Sequence, residues 1–383
     1  MPPAFPARPP RDQRLDVVRG WLQVSIFVSH IANSWVGGWL IHRPWGLSDS
    51  SEMFVFLSGF MLGSVFARKQ ARDGWAAAAR DLLRRTLRLY RIHLTVCLLF
   101  FLMLAAASVV LASHGRGAEL SRLGWAYMLA QPWPALPHLL IMLYEPNWMD
   151  ILPVFVWCML VLPLYAWLEK YAGAWALLPS ALAYLATQTG WITSPSLTED
   201  IGMGFDPFAW QFLFLGGAWL GKRALLHGRV APFSAPWVPT ASAAAVAVLL
   251  AALYIKLCWH GFLPFPAPPV DADWLTDKQE LVWPRVLHAG AIAWLVAAHI
   301  PRDRPWMHHG LARILATLGR HSLEVFCVGL FLSYLASTTL YLLPAWFALV
   351  DPLLAIAGVT LLYLLARTLD IRTGLAARLA AAA

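Results

Sequence analysis

The sequence predicts an all-α fold, a polytopic transmembrane bundle of about ten helices with both termini in the cytoplasm, and three observations predict it. Of 383 residues, 59% are hydrophobic and only 13% charged, a balance that one soluble core of this length does not need. The apolar residues gather into runs near the roughly 20 residues that cross a bilayer. Many of the 21 Trp stand near the ends of those runs, where an interfacial aromatic belt would place them.

In order, the apolar segments run from Val17 to Leu40, Ser50 to Ala67, Leu87 to Ala112, Asp150 to Leu168, Ala174 to Ile192, Pro207 to Leu220, Pro236 to Cys258, Leu281 to His299, Ser322 to Leu342 and Ala345 to Ala366. Each is long enough to cross with some tilt. The Pro- and Arg-rich arm before them leads into a run that carries Asp16, Arg19, Gln23 and His30, unlike the core of a cleaved signal, so the arm is expected to be retained. With the first segment running outward, the cytoplasmic side receives the arm, the Arg68 to Arg91 link, Lys170, the Lys222 to Arg229 link, the Arg302 to Arg320 link and the tail from Arg367. Only Arg43, Arg116, Arg122, Lys256, Lys278 and Arg285 then lie outside, leaving 23 of the 29 Lys and Arg inside. Shifting the helix count by one destroys that asymmetry. The expected organisation is a cytoplasmic arm over residues 1–15, one membrane domain over 16–368 and a cytoplasmic tail over 369–383, without a fixed-period repeat. The outer loops from Ser113 to Met149 and from Trp259 to Glu280, rich in Trp, Pro and acids, are where an extracytoplasmic partner would dock.

The net charge of +8 sits mainly in the short links, which reads as topology and membrane-lipid contact rather than a nucleic-acid surface. Cys97, Cys158, Cys258 and Cys327 all lie inside apolar runs and lack the spacing of a metal site, so no metal is expected.

Polar residues inside the bilayer are costly and mark cavities or paths. On the first segment Asp16, Arg19, Gln23, Ile26, His30 and Asn33 recur in steps of three or four, a stripe that must face protein. Arg19 and His30 are eleven residues apart, about three turns, hence on one face and roughly 16 Å apart along the axis. With Arg19 at the inner headgroups, His30 is near mid-membrane, either as a packing histidine or as a base or proton relay. Ser48, Asp49 and Glu52 open the second segment; the two acids share a helix face and could hold the imidazole of His30 or, more blandly, cap the helix. Arg80, Arg84, Arg88 and Arg91, with Arg85 beside them, form a guanidinium face that suits the phosphates of coenzyme A or the headgroups of anionic lipid. Arg320, His321, Ser322 and Glu324 stand where the ninth segment enters the membrane, at an expected donor entrance. On the outer side, Asn147, Trp148 and Asp150 open the fourth segment and Asp206, Trp210 and Gln211 the sixth, with the stacking faces and hydrogen-bonding groups that sugars require; N-caps and interfacial Trp would look alike.

The run Arg11-Asp12-Gln13-Arg14-Leu15-Asp16-Val17-Val18-Arg19-Gly20 with Ser29-His30-Ile31, and then Ser48-Asp49-Ser50-Ser51-Glu52-Met53-Phe54-Val55-Phe56-Leu57-Ser58-Gly59, resembles the OpgC family. The similarity continues through Asn147-Trp148-Met149-Asp150-Ile151-Leu152-Pro153, Phe205-Asp206-Pro207-Phe208-Ala209-Trp210-Gln211 and Leu318-Gly319-Arg320-His321-Ser322-Leu323-Glu324-Val325-Phe326, nearly the whole chain. The interval from Arg19 to His30 also looks like the arginine, ten residues, histidine motif of the wider acyltransferase-3 superfamily. The resemblance implies a multi-pass protein of the bacterial inner membrane that succinylates osmoregulated periplasmic glucans, with His30 essential for transfer. Two positions depart: Ser29 stands where the family's Asp is expected before the histidine, and Asp206 where Asn is expected before the proline. The first leaves Asp49 or Glu52 to serve as the histidine's carboxylate.

The expected mechanism brings an acyl-CoA, succinyl-CoA by the resemblance, from the cytoplasm as a co-substrate rather than a tightly bound cofactor. Arg19, the Arg80 to Arg91 face, Arg320 and His321 receive it, His30 is the general base, and the glucan arrives from outside. A transient acyl group on His30 or a serine is an open variant. A homo-oligomer or an association with the glucan-synthesising machinery is compatible with the sequence. The rival from another class is a glucan or lipid exporter, since polar residues along a bundle axis also make a translocation path, although no paired broken helices or inverted repeat are visible. A scaffold is a third reading, with no use for a mid-membrane histidine.

Overall fold

A computed structural model of the chain describes residues 12–115, 117–194, 203–227, 235–264 and 271–382, and these are all-helical with no strand. The α-helices are α1 (Gln13–Ser29), α2 (Trp35–Trp39), α3 (Ser50–Asp73), α4 (Trp75–Val110), α5 (Ala126–Ala130), α6 (Pro132–Leu140), α7 (Ile151–Ala172), α8 (Leu178–Gln188), α9 (Pro207–His227), α10 (Val238–Trp259), α11 (Ala272–Thr276), α12 (Trp283–His299), α13 (Gly310–Arg320), α14 (Ser322–Leu342) and α15 (Phe347–Ala382). Among the described residues, six stretches are long and apolar enough to cross a membrane: Ser50–Asp73, Trp75–Val110, Ile151–Gln188, Val238–Trp259, Ser322–Leu342 and Pro344–Gly374. Of the other expected crossings, the fourth and fifth fall together within Ile151–Gln188, α1 and α12 have only 17 residues each, and the apolar run of α9 is diluted by Gln211, Lys222 and Arg223.

Three local outcomes differ from the sequence reading. The first expected helix, Val17 to Leu40, is broken: α1 ends at Ser29, Asn33 takes a left-handed φ of 63°, and α2 begins after Ser34. Ser29, His30, Asn33 and Ser34 compete with the helical backbone for hydrogen bonds, and Asn33 thereby leaves the polar stripe. The third helix begins twelve residues earlier than expected, so that α4, at 36 residues, carries its arginines on the same rod as its apolar span. Its length of about 54 Å exceeds a hydrocarbon layer of roughly 30 Å, leaving several turns for the interface. The stretch from Arg302 to Arg320 is more than a link, because α13 lies within it and packs on α1.

The chain divides into two compact units. One holds the described residues within Val55–Ala231 and Thr276–Trp283. There α3 crosses α9 backbone to backbone: a Cβ on Gly59 or Gly63 would lie 2.0 Å from the Phe214 carbonyl or 2.4 Å from Ala218, and one on Gly217 or Gly221 would lie 2.3 Å or 1.9 Å from the carbonyls of Phe56 and Phe60. Each helix offers a glycine pair four residues apart, the small-residue notch that lets membrane helices approach closely. The other unit holds the described residues within Arg8–Phe54, Pro232–Leu275 and Pro284–Ala383. Its core joins Phe27, Val28, Ile31 and Val36 to Leu318, Val325, Leu340, Ala355 and Leu362, so α1 and α2 pack on α13, α14 and α15. The α1–α13 crossing is equally close, a Cβ on Gly20 falling 1.8 Å from the Leu315 carbonyl and one on Gly319 falling 1.9 Å from that of Asp16.

Candidate active site

The stripe on α1 forms as far as His30. Asp12 caps the helix, its Oδ1 accepting the Arg14 N–H at 3.1 Å, and the 3.6-residue repeat then stacks buried Asp16, Gln23 and Ile26 with half-buried Arg19 and His30. Arg19 Nη2 donates to Ser322 Oγ at the start of α14. His30 closes the helix, its N–H pointing at the Ile26 carbonyl at 3.2 Å and its ring Nδ1 at the same oxygen at 2.7 Å. A carbonyl only accepts, so Nδ1 carries the proton of the neutral ring and Nε2 is the basic nitrogen. His30 lines a narrow crevice with Gln23, Phe326, Gly329, Leu330 and Ser333.

Asp49 and Glu52, expected as candidates to hold that ring, are engaged in two other ways. They form a reciprocal cap at the start of α3: Asp49 Oδ1 accepts the Ser51 N–H at 2.7 Å, and Glu52 Oε2 accepts the Asp49 N–H at 2.9 Å. Their remaining oxygens meet Arg285 of α12, with Nε donating to Glu52 Oε1 at 2.6 Å and Nη2 lying 3.3 Å from Asp49 Oδ2. Glu52 is fully buried and Arg285 is 5% exposed, which makes this an interior ion pair. One turn along α12, His288 Nδ1 accepts the Ser48 N–H at 3.3 Å and lies 2.7 Å from Ser48 Oγ. The imidazole covers Gly46 so closely that a Cβ there would fall 2.4 Å from the ring.

The donor-entrance residues are also tied. Arg320 makes a two-pronged pair with Asp370, whose Oδ1 lies 3.2 Å from Nε while Nη2 meets Oδ2, and His321 Nε2 lies 2.8 Å from the same carboxylate. Glu324 is half-buried on α14.

In the other unit the arginines of α4 are the opposite case. Arg80, Arg84, Arg88 and Arg91 are all exposed along the helix, as is Arg85, which pairs with Asp81 at 3.0 Å. Of the sugar candidates, Asn147 is exposed, whereas Trp148 is half-buried with its ring 5.7 Å from that of Phe100. Asp150 stands before α7 with a carboxylate oxygen 2.4 Å from where a Cβ on Gly204 would lie. Asp206 caps α9, accepting the Phe208 N–H at 2.8 Å, and burial raises its carboxyl above the usual range. Trp210 has no exposure, its Nε1 donating to the Lys278 carbonyl at 3.0 Å, and Gln211 is spent on Ser180, whose hydroxyl donates to Oε1 at 2.6 Å. These two side chains anchor α9 and offer no open face for a sugar to stack on.

Sequence reasoning missed Arg285, His288, Asp351 and Glu145. Glu145 is 5% exposed, accepts the Gly204 N–H at 3.3 Å through Oε2, and has no partner for Oε1. Burial, reinforced by the charge of Asp150, holds its carboxyl well above the usual range. Polar residues in an apolar run, as Arg285 and His288 are in the eighth segment, were the available signal.

Compared with known families, the chain matches the one described as OpgC protein over residues 11–373. No curated protein and no solved structure matches it.

Proposed function

Because this chain belongs to the OpgC protein family, which implies a membrane acyltransferase, we propose that it moves an acyl group, succinyl by the resemblance, from cytoplasmic acyl-CoA to hydroxyls of periplasmic glucan. The observation that carries the reading is the geometry of His30: a half-buried imidazole at the end of a helix, with Nδ1 held on the Ile26 carbonyl, which makes Nε2 the basic nitrogen. A glucan hydroxyl attacks the thioester carbonyl as Nε2 takes its proton; the carbon–sulfur bond breaks, and the coenzyme thiolate recovers the proton from the imidazolium. The ring is oriented by its own helix, and Asp49, Glu52 and Arg285 serve to fix the start of α3 in the same unit.

In this reading both termini lie in the cytoplasm and the protein resides in the bacterial inner membrane. The exposed arginines of α4 attract the coenzyme's phosphates, and Arg19 is a further candidate cation for the donor. Arg320 and His321, held by Asp370, shape the donor's approach rather than grip its phosphates. Exposed Asn147 and neighbouring Asp150 are the better candidates for the sugar.

The test uses the purified full-length protein in lipid nanodiscs with succinyl-CoA, acetyl-CoA and glucan. Release of free coenzyme with a matching mass increase on the glucan is the expected result, lost in His30→Ala. Consumption of no donor, together with passage of glucan across vesicles, would establish the exporter instead.

A further inference from the structure

After Ser29 the N–H groups of His30, Ile31 and Ser34 still find carbonyls close by in the chain, but those of Ala32 and Val36 go to other partners. Residues more than 300 positions away supply them. On α14, Ser333 Oγ donates to the Phe27 carbonyl at 2.8 Å, and one turn later Ser337 Oγ accepts the Ala32 N–H at 2.8 Å while donating to the Ser333 carbonyl at 2.7 Å. On α15, Asp351 Oδ2 accepts both the Ser34 hydroxyl and the Val36 N–H at 3.0 Å. Ser34 Oγ in turn accepts the Gly37 N–H at 2.9 Å and so caps α2. Ser333 and Asp351 have no exposure and Ser337 has 5%.

We propose that Ser337 and Asp351 are positioning residues for His30, acting through the unwound segment between α1 and α2. The inference rests on His30 being the base. The His30 ring takes its direction from the Ile26 carbonyl in the last turn of α1, and Ser337 and Asp351 fix the course of the chain that follows: Ser337 Oγ holds the Ala32 N–H and lies 3.5 Å from the His30 carbonyl, and Asp351 holds Ser34 and Val36. Without their acceptors, the N–H groups of Ala32 and Val36 turn back toward the carbonyls of their own preceding turns, Val28 in the case of Ala32, and the segment that carries His30 rewinds. A neutral acceptor could have served Ser34 and Val36, yet the position holds a carboxylate whose second oxygen, Oδ1, is buried with no partner. Such a group is unfavourable in an interior, and the segment that it holds is the one bearing the histidine.

The test compares Asp351→Ala, Asp351→Asn and Ser337→Ala with the parent in nanodiscs. It measures kcat and KM for succinyl transfer to glucan, and the pH midpoint and rate of C2–H deuterium exchange at His30 by peptide mass spectrometry. A displaced general base loses rate rather than affinity. Asp351→Ala and Ser337→Ala are expected to lower kcat by about 10- to 100-fold with KM within about twofold, and to change the His30 exchange rate by more than about threefold. Asp351→Asn, whose carbonyl oxygen still accepts both bonds, is expected to keep most of the activity; a fall as deep as that of Asp351→Ala overturns the hydrogen-bond account. Wild-type kcat together with unchanged His30 exchange in both Ala variants overturns the proposal, and where Asp351→Ala does not fold, Ser337→Ala decides by the same criteria. If His30→Ala keeps full transfer, the base reading fails by itself, and the exchange at His30 alone decides whether the frame positions the ring.

Discussion

The polar residues at the end of α1 and the arginines along α4 both stood out in the sequence, but the fold treats them in opposite ways. Around His30, side chains from α14 and α15 are bonded into one buried frame, and Arg285 is held between two carboxylates nearby in sequence to that region's loop. On α4, Arg80, Arg84, Arg88 and Arg91 stand exposed, one or two turns apart on a helix stiff enough to need nothing from them. The difference is between geometry and charge. Interior polar groups act by where they put an atom, so single losses are large and not additive; exposed guanidinium groups act by summed potential, so single losses are small and salt-dependent.

The sharpest way to break that contrast is His30→Ala. It is expected to lower kcat for acyl transfer by about 10²- to 10⁴-fold, the usual range for a general base, while donor KM changes little in a steady-state assay of coenzyme release. A variant with near-parental kcat would reduce the frame to packing. Next is Arg285→Met, which leaves Asp49 and Glu52 in the interior without their cation. A loss of about 3–5 kcal/mol is expected, read as a lower unfolding midpoint in detergent, and adding Glu52→Gln should recover part of it. No recovery in the double variant would show that the guanidinium, not the charge balance, holds the start of α3.

Glu145 sharpens the comparison from between its extremes, being interior but incompletely bonded. Its native pKa is raised, so the folded chain binds the proton more tightly than the unfolded one. Its contribution to stability is therefore fully present below the unfolded pKa and is lost as pH rises through the native value. Glu145→Gln should remove that loss and raise stability at neutral pH by about 1–3 kcal/mol, with no gain under acid conditions; a gain independent of pH would mean that the charge is not responsible. The smallest effects belong to α4. Each of Arg80→Gln, Arg84→Gln, Arg88→Gln and Arg91→Gln should raise donor KM about two- to fivefold at low ionic strength, an amount that matches the roughly 0.3–1 kcal/mol of an exposed ion pair, and the differences should vanish in high salt. A single arginine whose loss abolished transfer would move α4 into the first category.

Much of the all-helical plan could be read from local pattern. Apolar runs of spanning length mark α10 and α14 nearly to the residue and the start of α3, and steps of three and four place Asp16, Arg19, Gln23 and His30 together on α1. The cap formed by Asp49 and Glu52 was also open to view, since its two partners are three residues apart. What escaped depends on partners distant in the chain. The break after Ser29 has local signals in Ser29, Asn33 and Ser34, but the side chains that receive its backbone, Ser337 and Asp351, lie 305 and 315 residues beyond their backbone partners. Likewise Arg285 meets Glu52 across 233 residues, which no local periodicity encodes. Trp210 and Gln211 looked like sugar contacts because a binding aromatic and an anchoring one have the same sequence signature; only burial separates them.

The glycine notches between α3 and α9 carry a mechanical consequence. With each backbone seated in the groove of the other, rotation of either rod about its own axis drives a carbonyl into the opposite chain, and lengthwise sliding is checked by two teeth at once. Breathing of that unit is thus confined to pivoting about the crossing, like a pair of shears riveted near the middle, and bulky residues such as valine at Gly63 or Gly221 would pry the blades apart rather than merely crowd them.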